Sequence, residues 1–520
     1  MKSFAHAVNP RNWRMGVWAA ISLVGLIMSS YAWIVSSPTG GSPDDDFHQA
    51  SIWCPAPADE SCATIPVPGE SPEILVPQTV TDSSCYRFFS TESAACTVDL
   101  SDTVMVATAR YNTGIYPGYY YDIMHLFVGH DVDRTILVIR WVNVGLAGLI
   151  YGAIFFLAAP AGRRLVAYTL LGTAVPLVTF FSTSINPSAW GIMGVVSAWL
   201  GLHLGLTATS KPRRAALLSL GIVGALIAAS ARADSAVYLI LVCCVLVVYH
   251  WPIVVHRLRL AIPLAVVSII GAVGFLSGSQ STAATQGLNF SAPVQTNPLR
   301  LLVSNLFQMP GFITEYWNFY MGWLDTPPPM ITVILAATVT IGLCFWGIVR
   351  TRMSCRHVIC LIGLAAAIVG VPLLILQSGH TYVTGSGIQT RYIAPLIIMF
   401  VGVCLADRQK FNRPLSLAAT VVFFSFISVA NMYALHTLIQ RYVSGINSNG
   451  FNLSAGVQWW RGGGPSPMWT WVMGSVGFAL MSTILFAVHR QFPFDPALTS
   501  IDESGSISKA DRTTAEKEAQ

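Results

Sequence analysis

Apolar blocks of about 20 residues recur along this chain and constrain its fold more than any other feature. A helix of that length crosses the hydrocarbon core of a bilayer. Charged residues make up only 10% of the sequence, against roughly 25% in soluble domains. The pattern predicts an all-α polytopic membrane protein with about 12 transmembrane helices, at residues 14–36, 136–160, 165–184, 188–207, 215–231, 236–255, 260–277, 330–349, 358–377, 391–406, 414–436 and 468–488.

Basic residues lie in every second connection between these blocks. Short loops rich in Lys and Arg stay on the cytoplasmic side, and the assignment places 20 of the 29 basic residues on the side of both termini. Orientation therefore accounts for the net charge of +5, and we expect no nucleic-acid partner. The first block is long and lacks a clean small-residue cleavage site, so we expect an uncleaved signal anchor in the plasma membrane.

The assignment divides the chain into a cytoplasmic N-terminus (1–13), a membrane domain (14–490) and a disordered cytoplasmic tail (491–520). The membrane domain includes three exoplasmic loops, at 37–134, 278–329 and 437–467. The first is large and contains β-prone stretches, Glu73–Val80 and Thr103–Thr108. In the second, helical spacing over Leu301–Tyr320 predicts a helix that lies on the membrane surface or covers a cavity.

Four cysteines lie in the first exoplasmic loop, where oxidation is permitted: Cys54, Cys62, Cys85 and Cys96. They allow three disulfide connectivities, of which Cys54–Cys62 with Cys85–Cys96 is the simplest. Zinc binding is the alternative, although no pair has the short spacing of a zinc motif.

An acidic cluster, Pro43-Asp44-Asp45-Asp46-Phe47-His48, follows the first helix. Adjacent carboxylates raise one another's pKa unless a cation compensates, which suits a general base or a site for Mg²⁺ or Mn²⁺. Asp44 and Asp45 are therefore candidate bases, Asp44 and Asp46 candidate metal ligands, and His48 a candidate pocket residue. The alternative is a solvated acidic start to the loop.

Polar residues at the exoplasmic ends of other helices are expected to converge on this cluster. They are Asn186 in the link at 184–188, Arg232 with Asp234, Arg391 with Tyr392, and Arg140 inside the second helix. Arginine at a membrane edge needs a partner and is a functional candidate by default. The alternatives are an interfacial anchor for Arg391, a structural pair for Arg232, and snorkelling or structural pairing for Arg140.

Tyrosines are dense over residues 111–121, and they include Tyr116 and Tyr120. Such a stretch lines a sugar-binding cleft or forms an aromatic belt at the membrane interface.

The acidic cluster, the large loop ending in the tyrosine stretch, and the arginines Arg134 and Arg140 resemble the GT-C membrane glycosyltransferases. The link at 184–187, Arg232 with Asp234, and Gln389-Thr390-Arg391-Tyr392 more closely resemble a bacterial family of predicted membrane proteins, domain of unknown function 2142. The resemblance covers about 14–490. Where that family tends to carry Pro-(Asp)-Glu-x-x-His, this chain has Pro43 to His48.

The resemblance implies a transferase that passes a sugar from a polyprenyl-phosphate donor to an envelope glycan, lipid or protein. Asp44 or Asp45 would remove the acceptor proton, with or without the help of a divalent cation such as Mg²⁺ or Mn²⁺. Arg391, Arg232 and Tyr392 would hold the donor phosphate, while Asn186, Asp234, Tyr116, Tyr120 and His48 would line the acceptor pocket. A transporter or flippase of an envelope precursor, and a non-catalytic scaffold, are the competing interpretations.

Overall fold

The computed structural model describes residues 10–278, 297–350, 353–383, 387–406, 415–448 and 450–490. The predicted tail, the first nine residues and the start of the second long loop lie outside these ranges. The helices are α1 (Pro10–Ser36), α2 (Asp45–Trp53), α3 (Ala58–Ser61), α4 (Gln78–Asp82), α5 (Tyr119–His125), α6 (Val132–Leu157), α7 (Pro160–Gly172), α8 (Pro176–Ser182), α9 (Pro187–Thr207), α10 (Lys211–Ala231), α11 (Ala233–Tyr249), α12 (Trp251–His256), α13 (Ala261–Leu276), α14 (Pro298–Thr314), α15 (Met330–Arg350), α16 (Cys355–Ser378), α17 (Ala394–Leu405), α18 (Leu417–Ser444), α19 (Pro467–Ser482) and α20 (Ile484–Arg490).

Within the described ranges, nine helical segments are long and apolar enough to cross a bilayer. They are α1, α6, α9, α10, α13 with the 3₁₀ turn before it, α15, α16, α18, and α19 with α20. The pair α7 and α8 passes the same test together but bends by 94°. The structure therefore confirms a helical membrane protein with several spans.

All twelve predicted blocks fall on helices, but the lengths do not establish twelve spans. Block 165–184 is the bent pair. Block 236–255 is divided between the 17 residues of α11 and the short helix α12, and block 391–406 shortens to the 12 residues of α17. Eleven of the 12 residues of α17 are buried. A helix enclosed by other helices need not match the thickness of the bilayer, and apolar composition alone does not reveal this enclosure.

The bend between α7 and α8 precedes Pro176, which lacks an N–H for a continuous helix. Backbone carbonyls freed by such a bend must find partners inside a membrane. Those at 172–174 accept hydrogen bonds from Thr340 Oγ1 (2.9 Å), Tyr316 OH (3.2 Å) and Asn431 Nδ2 (2.9 Å). Side chains of three other segments thus stabilise the break.

Helices α9 and α10 pack in close contact through glycines. An added Cβ at Gly194 would lie 2.5 Å from the backbone nitrogen of Ala228, and one at Gly201 would lie 2.6 Å from that of Gly221. Small residues allow this approach between membrane helices. Because α9 begins and α10 ends at the same side of the bundle, the contact brings residues 186 and 232 close together.

A three-stranded antiparallel sheet forms within the segment after α1, in the order β1 (Thr64–Ile65), β2 (Glu73–Pro77) and β3 (Met105–Thr108). Ile74 and Val76 of β2 are buried. The predicted β-prone stretches contain β2 and β3. Disulfides join Cys54 to Cys62 and Cys85 to Cys96, which is the simplest of the three connectivities.

Helix α14 overlaps the stretch predicted to form a surface helix, Leu301–Tyr320, but it begins earlier, at Pro298, and ends at Thr314. Its buried side includes Asn305, whose side chain bonds the carbonyl of Thr381 and the amide of Val383 (both 3.0 Å). The carbonyl of Phe312 accepts a hydrogen bond from the Thr390 hydroxyl. Helix α14 therefore braces the turn that carries residue 391.

Candidate functional site

The loop at 37–43, between α1 and the acidic cluster, is held at every backbone carbonyl group. The Ser42 carbonyl accepts from the backbone N–H of Asp45, and side chains from distant parts of the chain hold the others. These are Arg140 (Ser37 and Pro38), Arg461 (Ser37), Tyr86 (Thr39), Trp323 (Gly40), Tyr442 (Gly41) and Asn186 (Pro43). Such dense bonding fixes the position of the residue that follows, Asp44.

Arg140 was a candidate for the cationic pocket, and the structure places it elsewhere. Its buried guanidinium donates to the carbonyls of Ile34, Ser37 and Pro38 at 2.6–2.9 Å. It holds the end of α1, which is a structural role.

Asp44 precedes α2 in the left-handed backbone conformation, with φ of 65°. That conformation is uncommon outside glycine and is frequent at functional sites. Its carboxylate is 40% exposed and accepts from Arg391 Nη2 at 2.7 Å, while Arg110 lies 3.9 Å away. Burial alone would raise the pKa of Asp44, but Arg391 and its neighbours hold that pKa below the usual value.

Asp45 and Asp46 are occupied differently. Both carboxylate oxygens of fully buried Asp45 accept hydrogen bonds from Ser42, and burial raises the pKa of Asp45 to about 7. Asp46 pairs with Arg87 at 3.1 Å and with Arg110 at 2.8 Å. Of the two predicted bases, the structure favours Asp44, because its carboxylate reaches solvent.

The predicted metal site does not fit the partners that the cluster has. Asp44 and Asp46 would have to exchange arginine partners for a cation. The described residues contain no group of three or more histidine, cysteine or acidic side chains arranged to hold a metal ion.

Arg391 lies in a 3₁₀ turn, Thr390–Tyr392, just before α17. Its side chain is 1% exposed, and its guanidinium lies over the rings of Phe181 (4.9 Å to the centroid) and Tyr392 (5.3 Å). Of its nitrogens, only Nη2 donates a hydrogen bond to Asp44. The other two nitrogens, Nε and Nη1, have no hydrogen-bond partner in the described part of the chain.

Arg232, between α10 and α11, lies beside Arg391. Both guanidiniums face the ring of Tyr392, that of Arg232 at 4.5 Å from the centroid. Arg232 Nε and Nη2 donate to Asp234 at 2.8–3.2 Å, and Tyr116 lies 5.6 Å from the guanidinium. Arg232 Nη1, like the two nitrogens of Arg391, lacks a partner among the residues that the structure describes.

His48 occupies the third side of the site. Its Nδ1 lies 3.0 Å from the Tyr121 hydroxyl, and its ring contacts Tyr116 edge to face. Burial lowers the pKa of His48 to about 3, which keeps the imidazole neutral at physiological pH. No described side chain or backbone group pairs with Nε2.

Three predicted pocket residues remain: Asn186, Tyr120 and Tyr116. Asn186 caps α9 and bonds the Pro43 carbonyl at 3.2 Å, so it supports the site from behind. Tyr120 is fully buried against Trp190 and does not line an open cleft. Burial raises the pKa of Tyr116 to about 12, so its hydroxyl stays neutral.

Three residues that sequence reasoning missed, together with Tyr121 of the predicted tyrosine stretch, complete the surroundings. Arg87 and Arg110 neutralise Asp46, Phe181 supports Arg391, and Tyr121 bonds His48. Isolated arginines in a long loop carry no pattern, and Phe181 is one apolar residue in an apolar block. Only Tyr121, within the tyrosine stretch, had a recognisable signal.

The assembled site therefore joins a partly exposed carboxylate to three buried guanidinium nitrogens and one buried imidazole nitrogen that lack partners. Unpaired buried donors carry a large desolvation penalty, more so on charged groups. An anion fits this arrangement, and carboxylates and phosphates are the anions that match the fork geometry of arginine.

Comparison with known proteins supplies a family. No curated protein and no solved structure matches the chain. The family described as predicted membrane protein (DUF2142) matches residues 27–400, a range that includes Asp44, Asn186, Arg232 and Arg391. This chain belongs to that family of predicted membrane proteins, DUF2142.

Proposed function

We propose that this protein is a GT-C-type membrane glycosyltransferase that moves a sugar from a polyprenyl-phosphate donor to an envelope glycan, lipid or protein. One observation carries the proposal: Arg391 is buried with two unpartnered nitrogens next to the partly exposed carboxylate of Asp44. This places an anion-binding group beside a proton acceptor.

In the proposed reaction the donor phosphate binds Arg391 and Arg232. Their three nitrogens without described partners provide N–H groups for phosphate oxygens, and both guanidiniums lie against the ring of Tyr392. Negative charge on the phosphate grows as the sugar departs. Fixed cationic donors stabilise that charge more in the transition state than in the ground state.

Asp44 removes the proton from the acceptor hydroxyl. The acceptor oxygen forms a bond to the anomeric carbon of the sugar, and the bond from that carbon to the phosphate oxygen breaks. The electron pair leaves with the polyprenyl phosphate, and the proton resides on Asp44 before release to solvent. Because donor phosphate would draw Arg391 away from Asp44, donor binding also raises the basicity of this carboxylate.

His48 and Tyr116 provide the acceptor side of the site. A neutral imidazole beside an aromatic ring can bond a sugar hydroxyl while the ring packs on a sugar face. No step is assigned to a divalent cation, since the carboxylates predicted to bind one are paired with arginine.

The positive-inside pattern supports a site on the exoplasmic side of the plasma membrane, with both termini in the cytoplasm. Twelve spans, with the bent pair, α11 and α17 each counted as one, give that topology. A donor whose lipid anchor lies in the same leaflet can then reach Arg391.

Transport is the second candidate, and the bend between α7 and α8 favours it, because broken helices form substrate and ion sites in transporters. Yet the carbonyls at 172–174 already accept hydrogen bonds from other side chains. The charged groups described above lie instead at one end of the bundle.

The proposal is tested with the full chain in proteoliposomes and a panel of radiolabelled polyprenyl-phosphate hexoses and pentoses, with extracted envelope as acceptor. Asp44→Asn should insert normally but lose transfer, whereas Asp99→Asn, at an exposed carboxylate of the same loop, should keep it. Full transfer by Asp44→Asn would refute the assignment of Asp44 as the general base. Labelled-solute counterflow that depends on Asp44, without sugar transfer, supports transport.

A further inference from the structure

A cavity of about 500 Å³ lies at the end of the bundle opposite the candidate site. Helix α9 begins beside the site at Pro187 and ends at Thr207, and the residues that follow, up to Thr209, form one wall of the cavity. The other wall is α12, the short helix between α11 and α13. The cavity therefore lies where these membrane helices end.

Two arginines, Arg214 and Arg257, line this cavity. Arg214 Nε and Nη2 both donate to the carbonyl of Ala208, at 3.1 and 2.5 Å, so its guanidinium is fixed against the link between α9 and α10. The exposed side chain of Arg257 makes no hydrogen bond or ion pair with any residue that the structure describes. Two cations that share a cavity repel each other unless an anion lies between them.

No carboxylate in the described part of this end balances that charge. Its segments contain neither Asp nor Glu, over 155–165, 203–215, 248–262, 353–360, 415–420 and 482–490. Arg163, at the same end, is occupied by the protein itself, because it donates to the carbonyls of Phe155 and Phe156 at 3.3 and 3.1 Å. The cavity beside Arg257 is instead arranged for an anion from outside the chain.

The two faces of α12 and the turn after it indicate what kind of anion fits. Trp251, Val255 and Leu258 recur at intervals of four and three residues, the spacing of one helical face, and they are 53%, 46% and 73% exposed. His256 and Arg257 line the cavity. This combination is typical of a helix in the membrane interface, with its apolar face toward lipid chains and its basic face at the phosphates. A soluble anion would use only the basic face, whereas a phospholipid uses both.

We infer that this cavity binds the phosphate of an anionic phospholipid from the leaflet on the basic side of the membrane, and that the lipid chains pack on Trp251 and Leu258. Arg257 and Arg214 supply the positive charge, and the exposed hydroxyl of Thr209 can donate to a phosphate oxygen. Basic pockets between membrane helices on this side bind anionic headgroups in the same way. The inference does not depend on the proposed function, whose residues lie at the other end of the bundle.

The binding test compares Arg257→Gln with Arg259→Gln. Both variants lose one exposed positive charge, two positions apart, but only Arg257 lines the cavity. The full chain in detergent is titrated with phosphatidylglycerol, and native mass spectrometry gives the Kd of the tightest-bound lipid. Arg257→Gln should weaken that binding about fivefold, the contribution of one basic residue at an anionic membrane surface, and Arg259→Gln should leave it unchanged. Equal losses in the two variants would overturn the inference, because the affinity would then reflect overall charge.

A second pair of variants places a carboxylate inside or outside the cavity. Thr209→Glu should remove the preference for phosphatidylglycerol over phosphatidylcholine, whereas Ser210→Glu, at an exposed position that does not line the cavity, should keep it. Melting temperatures without added lipid check that both variants are folded. Full preference in folded Thr209→Glu contradicts the inference. Displacement of phosphatidylglycerol by equal concentrations of inorganic phosphate or glycerol phosphate would identify a soluble anion as the ligand, and the inference would fail.

Discussion

Two arginine–aspartate pairs with buried arginines lie on the same side of this protein, and they differ in how completely they are bonded. Arg441 pairs with Asp325 at 2.8 Å and uses all its nitrogens, on Asp325 and on the carbonyls of Tyr86 and Glu92. Arg391 pairs with Asp44 at 2.7 Å but leaves two nitrogens without a described partner. Asp325 is 7% exposed and Asp44 is 40% exposed.

The difference distinguishes a fully bonded structural ion pair from the pair that we propose binds a ligand. Arg441 joins α18 to two loop segments, and every charge in the pair is compensated within the protein. Arg391 is buried to the same degree but is incompletely compensated, so a bound anion would complete its bonding. Burial of a charged pair alone therefore does not identify a site. The Arg391–Asp44 pair is the better candidate because unpaired guanidinium nitrogens lie beside a partly exposed carboxylate.

The largest expected effect is on folding. Arg441→Ala leaves Asp325 buried without its partner and should destabilise the protein by about 3–5 kcal/mol. Arg391→Ala should cost much less, because Asp44 reaches solvent. Thermal unfolding in detergent checks this contrast, and equal losses in the two variants would erase the distinction between the pairs.

The next effect is on catalysis. Arg391→Ala should lower kcat for sugar transfer by about 10²–10³, the usual loss when one preorganised donor is removed from a developing charge. The measurement is single-turnover transfer at saturating donor. Inserted, folded Arg391→Ala with unchanged kcat would remove Arg391 from the proposed phosphate site.

A smaller effect is expected on the affinity for polyprenyl phosphate. Asp44→Asn frees Arg391 Nη2 from its carboxylate, so polyprenyl phosphate should bind several-fold to about tenfold more tightly, although turnover is lost; tenfold is about 1.4 kcal/mol. Asp325→Asn should show no such gain. The readout is the rise in melting temperature on titration with polyprenyl phosphate. Weaker binding by Asp44→Asn would contradict the proposed competition between Asp44 and the phosphate for Arg391.

The smallest effect concerns the neighbouring carboxylate. Burial raises the pKa of Asp45 to about 7, so between pH 4 and 7 the folded protein binds a proton that the unfolded chain has released. Stability should therefore decrease as pH rises through this window, by at most about 1.4 kcal/mol per pH unit. Asp45→Asn should flatten the dependence of melting temperature on pH between 5.5 and 7.5. If the slope is undiminished, the pH dependence arises from a group other than Asp45.

Much of the fold was predictable because the bilayer restricts what an apolar block can do. All twelve blocks are helical, and both disulfides follow the simplest pairing. The bend at 173–175 and the short enclosed α17 were not predictable, because they depend on side chains of other helices that satisfy or cover the backbone.

The sequence alone determined which residues were available to a site: the acidic cluster, Arg232 with Asp234, and Arg391 with Tyr392 stood out because charge is rare beside membrane helices. It did not separate Asp44 from Asp45 and Asp46, since three adjacent carboxylates look alike in a string of letters. Only the tertiary structure assigned Ser42 to Asp45, Arg87 and Arg110 to Asp46, and Arg391 to Asp44. These partners come from segments up to 347 residues apart, and the ionisation of each carboxylate depends on the partner beside it.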